Sequence, residues 1–158
     1  MRAAALLTLV LAAGAAHAAL PQFATVAVDE APKVHAGESV TLRVTVSITP
    51  GYHVQANPVL NPALIPLTLT VPAAPFLDAG KPVYPRARRM RLAGSDEDLV
   101  IYDGIFVLEQ PVFVGKDSPP GEIALDGALR YQACDDRRCL LPRTLPVRLR
   151  VRVVDGGR

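Results

Sequence analysis

Hydrophobic and polar residues alternate with a period of two along much of this chain. Between Val40 and Ile48, aliphatic side chains at every second position are separated by threonine, serine and arginine. This spacing sends successive side chains to opposite faces, so it predicts a strand with one buried and one solvated face. The same alternation predicts three further long strands, at Ile65 to Val71, Ile123 to Tyr131 and Leu145 to Val153. Shorter strands are predicted at Phe23 to Val28, Tyr52 to Gln55 and Ile105 to Val114.

Turn residues separate these strands, and no stretch keeps a helical period for long. The chain contains 15 prolines and 11 glycines, which fall mostly between the alternating runs and stop the strands there. Seven or so short strands with such turns are typical of an all-β fold, and we predict an immunoglobulin-like β-sandwich. The segment from Pro72 to Leu99 has no alternation and is predicted to be a long irregular excursion across one edge or end of the sandwich.

The N-terminus has the pattern of a secretory signal. Arg2 is followed by an apolar run from Ala3 to Gly14 and by Ala16-His17-Ala18, a small-x-small cleavage site. We expect residues 1–18 to be removed after Ala18, leaving one domain over residues 19–158. The apolar run is shorter than the roughly 20 residues of a spanning helix, so no membrane span is expected in the mature chain.

Charge and motif content exclude several classes of function. The formal net charge is only +2, which gives no indication of nucleic-acid binding. Arginines cluster near Arg88 and near Arg150, and the second cluster alternates with aliphatic residues as on the wet face of a strand. The sequence has no glycine-rich phosphate loop, no paired-carboxylate pattern and no cysteine hydrolase signature.

The two cysteines are the strongest candidates for chemistry. Cys134 ends one predicted strand and Cys139 stands before the next, so residues 135–138 are predicted to form a hairpin loop. Directly opposed residues lie about 4.5 to 5.5 Å apart at Cα, within the range of a disulfide. A disulfide that closes a loop of about six residues stabilises the folded state by roughly 2 kcal/mol, whereas one that closes a hundred-residue loop stabilises it by about 4.7 kcal/mol. This favours a pair that exchanges electrons, while a structural disulfide in a non-catalytic protein-binding module stays the alternative.

A metal site would need more ligands than the cysteines provide. His35 or His53 would have to complete a tetrahedral site, because His17 leaves with the signal, and Met90 is the only internal methionine. We therefore expect no metal and no cofactor. His53 is expected to pack at the start of a strand with its ring bonded to a neighbour.

Several segments resemble one known family. Tyr131-Gln132-Ala133-Cys134, followed by Cys139 and Pro142, resembles the active-site hairpin of the periplasmic N-terminal domain of the thiol:disulfide interchange protein DsbD. The resemblance covers most of the mature chain and extends to four further segments, Pro50-Gly51-Tyr52-His53-Val54, Asn57-Pro58, Tyr84-Pro85 and Val100-Ile101-Tyr102-Asp103-Gly104.

This resemblance implies a periplasmic, immunoglobulin-like domain that cycles between dithiol and disulfide as a protein-disulfide reductase or interchange component. It would take electrons from a membrane thiol transporter or a thioredoxin-like protein and pass them to oxidised periplasmic proteins. A stand-alone version is expected, with its donor on another polypeptide. The resemblance also implies a cap loop over the cysteines at Leu99 to Gly104, with Tyr102 or Ile101 as the shield.

The resemblance further implies that Cys139 forms the mixed disulfide and Cys134 resolves it. Charge in the hairpin favours the same assignment, because Arg137 and Arg138 precede Cys139 while Asp135 and Asp136 follow Cys134. The alternative is that these four charges form a solvated hairpin tip that water and salt screen.

Overall fold

The structure is a computed structural model and describes residues 21–91 and 97–155. All regular elements in these two ranges are β-strands. They are β1 (Ala24–Val28), β2 (Lys33–His35), β3 (Ser39–Ile48), β4 (His53–Gln55), β5 (Thr68–Thr70), β6 (Leu77–Ala79), β7 (Arg88–Arg91), β8 (Asp98–Tyr102), β9 (Ile105–Val114), β10 (Gly121–Tyr131), β11 (Ala133–Cys134) and β12 (Arg143–Val154).

The strands form three four-stranded sheets. The first has the order β1-β3-β9-β6, the second β2-β12-β10-β5 and the third β11-β4-β8-β7. Neighbouring strands are antiparallel except for β2 and β12. Inward-facing aliphatic residues of the long strands, such as Val44, Leu108, Leu129 and Leu149, belong to one buried cluster. This arrangement confirms the all-β, immunoglobulin-like sandwich that the alternating pattern predicts.

Three of the long predicted strands are confirmed as β3, β10 and β12, whereas the run from Ile65 to Val71 contains only the short β5. The run from Ile105 to Val114, predicted among the shorter strands, is the ten-residue β9. The exposed face of β12 carries the second arginine cluster, where Arg150 and Arg152 lie 3.7 and 3.6 Å from Glu122. These arginines therefore form the wet face of a strand, as predicted.

The prediction of an irregular excursion from Pro72 to Leu99 is wrong in part. This segment contains β6, β7 and the start of β8. β6 pairs with the far end of β9, and β7 pairs with β8. Strands of three or four residues are too short to show an alternating period, and their partners are distant or adjacent strands that no local pattern reveals.

The predicted signal segment and cleavage site lie outside the described residues, so they stay predictions. Within residues 21–91 and 97–155, no helix has the length and hydrophobicity needed to cross a membrane.

The hairpin of β10 and β12 places the cysteines at one end of the sandwich. These two strands pair continuously from Gly121 opposite Val153 to Tyr131 opposite Arg143. The chain then leaves this sheet, because β11 pairs with β4 instead. Cys134 therefore belongs to the third sheet, and Cys139 lies opposite it in the connection between two strands of the second sheet.

Candidate functional site

Cys134 and Cys139 form a disulfide, with their Cα atoms 4.0 Å apart. This separation is shorter than in a regular antiparallel pair, and the two residues form an isolated bridge at the base of the loop. Backbone hydrogen bonds close the same loop: Asp135 N–H donates to the Arg138 carbonyl at 3.0 Å, and Leu140 N–H donates to the Ala133 carbonyl at 2.8 Å. The predicted hairpin, with the cysteines facing each other across its base, is confirmed.

The two cysteines differ in their exposure. Cys134 lies in β11 and is 1% exposed, whereas Cys139 follows the loop and lies on the surface. A partner thiolate approaching from solvent therefore meets Cys139 first. Reaction at one sulfur of a disulfide requires access to that sulfur, and the two positions differ in this access.

Asp135 holds the tip of the hairpin. Its carboxylate accepts hydrogen bonds from the backbone N–H groups of Arg137 and Arg138, both at 2.8 Å. These two hydrogen bonds lower the pKa of Asp135 below its ordinary value. Asp136 and Arg137 lie 3.9 Å apart in an ion pair whose side chains are almost fully exposed. Water and salt screen charges at such a tip, so burial distinguishes the cysteines more strongly than the loop charges do.

The residues before Cys134 support the hairpin from inside. Tyr131 is fully buried, and its hydroxyl oxygen accepts a hydrogen bond from the Phe23 N–H at 3.4 Å. The Gln132 side chain donates from Nε2 to the Leu140 carbonyl at 2.8 Å, across the base of the loop. Gln132 therefore links the two sides of the loop base, while Tyr131 links the end of β10 to the residue before β1.

The segment expected to form a cap loop is mostly a strand. Leu99 to Tyr102 lie in β8, and only Asp103 and Gly104 form a turn. Backbone pairing explains this difference, because β8 is hydrogen-bonded on both sides, to β4 and to β7. A cap loop over the cysteines was the expectation for this segment, and the strand corrects it.

Tyr102 and Ile101 are core residues of that strand, 4% and 0% exposed. The Tyr102 hydroxyl donates to the Pro85 carbonyl at 3.1 Å, and burial raises the pKa of this hydroxyl. Tyr102 is in register with Ala133, but β4 lies between them, which separates the two residues by about 9.5 Å. Shielding of the cysteines by Tyr102 or Ile101 stays a prediction.

His53 lies closer to the cysteines than the sequence indicated. It is the cross-strand partner of Cys134 in the pairing of β4 with β11. Its ring was expected to bond to a neighbour, but among the described residues its buried Nε2 atom has no hydrogen-bond partner. Burial lowers the pKa of His53. No local sequence signal joins His53 to Cys134, because the two residues meet only through the sheet.

A groove opens beside this pair. Its volume is about 680 Å³, and its lining includes Tyr52, His53, Met90 and Asp136. Arg88 and Asp103 form an ion pair on its wall, so two of its charges compensate each other. The groove joins the surface beside the hairpin to the His53 ring.

The two histidines considered for a metal site lie in different sheets. His35 lies in β2, in a different sheet from His53 and Cys134. Over the described residues, no group of three or more histidine, cysteine or acidic side chains is arranged to hold a metal ion.

A family model described as "Thiol:disulfide interchange protein DsbD, N-terminal" matches residues 22–150. The structure is similar to the N-terminal periplasmic domain of ScsB from Proteus mirabilis, with a TM-score of 0.55 and 17% identity, over 83% of this chain and 47% of that chain. A family 123 glycoside hydrolase from Clostridium perfringens gives a TM-score of 0.41 and 6% identity, over 85% of this chain and 28% of that one.

No curated protein matches this sequence. The protein spans about half the length of the ScsB domain, and at 17% identity that likeness concerns the fold alone. The family match covers most of the sequence and includes both cysteines. This chain therefore belongs to the family of N-terminal domains of the thiol:disulfide interchange protein DsbD.

Proposed function

We propose that this protein is a periplasmic carrier of electrons, which cycles Cys134 and Cys139 between dithiol and disulfide. The observation that carries this proposal is the disulfide itself, which pairs a buried cysteine with an exposed one inside the region that matches the family. An exposed sulfur admits one partner thiol at a time, and a buried second sulfur is protected from competing thiols.

Electrons enter when a donor thiolate attacks Cys139 Sγ. The Sγ–Sγ bond breaks, Cys134 leaves as a thiolate and takes a proton, and a donor–Cys139 mixed disulfide forms. The second donor thiol then attacks this mixed disulfide, so that the donor is oxidised and Cys139 is released. The donor class is a membrane thiol transporter or a thioredoxin-like protein, in accordance with the family.

The dithiol form then reduces oxidised periplasmic proteins by the reverse sequence. Cys139 attacks the acceptor disulfide, and Cys134 resolves the mixed disulfide and regenerates the bond to Cys139. Export to the periplasm is assigned to residues 1–18, with cleavage after Ala18.

Reduction potential tests this proposal. The purified protein is equilibrated in dithiothreitol buffers of graded potential, and free thiols are counted by alkylation and mass spectrometry. We expect a midpoint above about −300 mV, since structural disulfides lie below that value. A lower midpoint, or a pair that is reduced only after unfolding, would contradict the carrier function and favour a structural disulfide in a protein-binding module. The double variant Cys134→Ser/Cys139→Ser should show no alkylation at any potential.

A further inference from the structure

His53 and Cys134 are directly opposed in the antiparallel pair of β4 and β11. Directly opposed residues project their side chains from the same face of a sheet, with Cβ atoms about 4.5 to 5.5 Å apart. The side chains of His53 and Cys134 are therefore cross-strand neighbours on one face of the sheet. Both residues are buried, at 6% and 1% exposed.

The Nε2 atom of His53 lacks a hydrogen-bond partner among the described residues, although it is buried. A buried polar atom without a partner is costly and calls for an explanation. In the disulfide form, Cys134 has no proton to donate. Reduction creates an S–H donor on the neighbouring residue, which can then supply the partner that Nε2 lacks in the disulfide form.

A buried resolving cysteine also needs a base. The thiolate is the nucleophile in exchange, and a thiol in apolar surroundings ionises less readily than one in water. A neutral imidazole can take this proton. Burial lowers the pKa of His53, which keeps the ring neutral near pH 7.

We propose that His53 is the general base for Cys134 when this cysteine resolves the mixed disulfide, an inference that rests on the proposed function. In this step His53 Nε2 takes the proton from Cys134 Sγ, and the thiolate attacks Cys139 Sγ. The bond between Cys139 and the acceptor sulfur breaks as the intramolecular disulfide forms. The acceptor sulfur leaves with the electron pair and takes up the proton from the imidazolium, so two electrons pass to the acceptor.

Three charged groups face His53 from the neighbouring elements. Asp103 follows β8, Arg88 lies on β7 and Asp135 follows β11. The two carboxylates raise the pKa of His53 and Arg88 lowers it, but burial is the largest influence. Because Arg88 and Asp103 also pair with each other, their effects on the imidazole partly cancel.

The test observes the reactions of the two thiols as two successive steps. The reduced protein is mixed in a stopped-flow instrument with dithiobis(nitrobenzoate), an aromatic disulfide that releases a coloured thiolate. The first release reports attack by Cys139, and the second reports resolution by Cys134. In His53→Gln we expect the second release to slow by about 100-fold or more, the usual effect of losing a general base, and the first to stay within about twofold.

The pH profile supplies a second readout that needs no variant. With a base at His53, the second release in the wild-type protein levels off once pH exceeds the pKa of the imidazole. Without a base, this rate follows the thiolate fraction and rises about tenfold per pH unit. We expect the plateau in the wild type and the continued rise with pH in His53→Gln. If His53→Gln does not fold, the wild-type profile decides alone, and a rise without a plateau overturns the assignment.

His35→Gln is the matched control, because His35 is an exposed histidine in another sheet. It should leave both releases unchanged. An unchanged second release in folded His53→Gln would overturn the role of His53 while leaving the carrier function intact. A wild-type pair that cannot be reduced in the folded state would overturn the carrier function and this assignment together, and the wild-type protein alone shows that outcome.

Discussion

Reduction of the Cys134–Cys139 disulfide should lower the free energy of unfolding by no more than about 2 kcal/mol. The bond closes a loop of about six residues, for which the chain-entropy treatment gives roughly 2 kcal/mol. This value is an upper bound here, because hydrogen bonds close the same loop without the disulfide. Leu140 N–H reaches the Ala133 carbonyl, and Asp135 N–H reaches the Arg138 carbonyl. A carrier must stay folded in both redox states, so a small cost is what the proposed function requires.

Urea denaturation of the oxidised and reduced protein measures this cost. The chain has four tyrosines and no tryptophan, so unfolding is followed by tyrosine fluorescence and by far-ultraviolet circular dichroism. With a slope of about 2 kcal/mol per M, the midpoint should fall by no more than about 1 M on reduction. The double variant Cys134→Ser/Cys139→Ser should lose a similar amount without reductant. A loss above about 4 kcal/mol, or unfolding on reduction, would refute this reasoning.

Three further predictions address the cysteines, the sheet and the shield. Cys134→Ser should trap a mixed disulfide with an oxidised thioredoxin-like partner on non-reducing gels, whereas Cys139→Ser should trap little, because Cys139 is the exposed residue. Gly127→Ala should cost about 1 to 3 kcal/mol in urea denaturation, since its Cβ would lie 2.8 Å from the Thr70 carbonyl oxygen. Tyr102→Ala should speed reaction of the disulfide with glutathione if this residue shields it, at a stability cost of about 3 kcal/mol.

Each of these predictions has a contrary outcome. Equal trapping by both cysteine variants, or preferential trapping through Cys134, would reverse the assignment of roles. Gly80→Ala is the control for the sheet, because its Cβ would meet Pro111 Cβ at an ordinary 3.4 Å. A similar loss in both glycine variants would contradict the steric argument. Unchanged glutathione rates in folded Tyr102→Ala and Ile101→Ala would remove both residues from the shield.

The long strands could be predicted because they are half-buried over ten or more residues. In β12 the burial alternates strictly along the strand, and the sequence repeats that alternation. The short strands β6 and β7 carry no such signal, since their existence depends on pairing with β9 and β8. The family resemblance implied a loop at Leu99 to Gly104, but most of this segment forms β8, because β4 and β7 pair with it on both sides.

The chemistry of the site divides in the same way. Cys134 and Cys139 are close in sequence, so their spacing alone predicts the hairpin and the disulfide. The exposure of Cys139 and the burial of Cys134 depend on the whole sandwich. The charges in the hairpin indicated only that the two cysteines differ, not which of them is buried. His53 could be placed at a strand start, but its partner across the sheet is set by long-range pairing that no sequence pattern reports.

The chain leaves the second sheet after Tyr131, and this change of sheet explains the positions of Cys134, Cys139 and His53. If β10 had continued to pair with β12, the cysteines would lie at the end of a long ladder, and β4 would have a partner strand only on the side of β8. Instead β11 pairs with β4 over two residues, Ala133 opposite Val54 and Cys134 opposite His53. One short pairing thus buries Cys134 and places a histidine next to it, while the exposed Cys139 lies in the following loop. We therefore expect changes at the disulfide to act on this two-residue ladder and to leave the longer pairing of β10 with β12 in place.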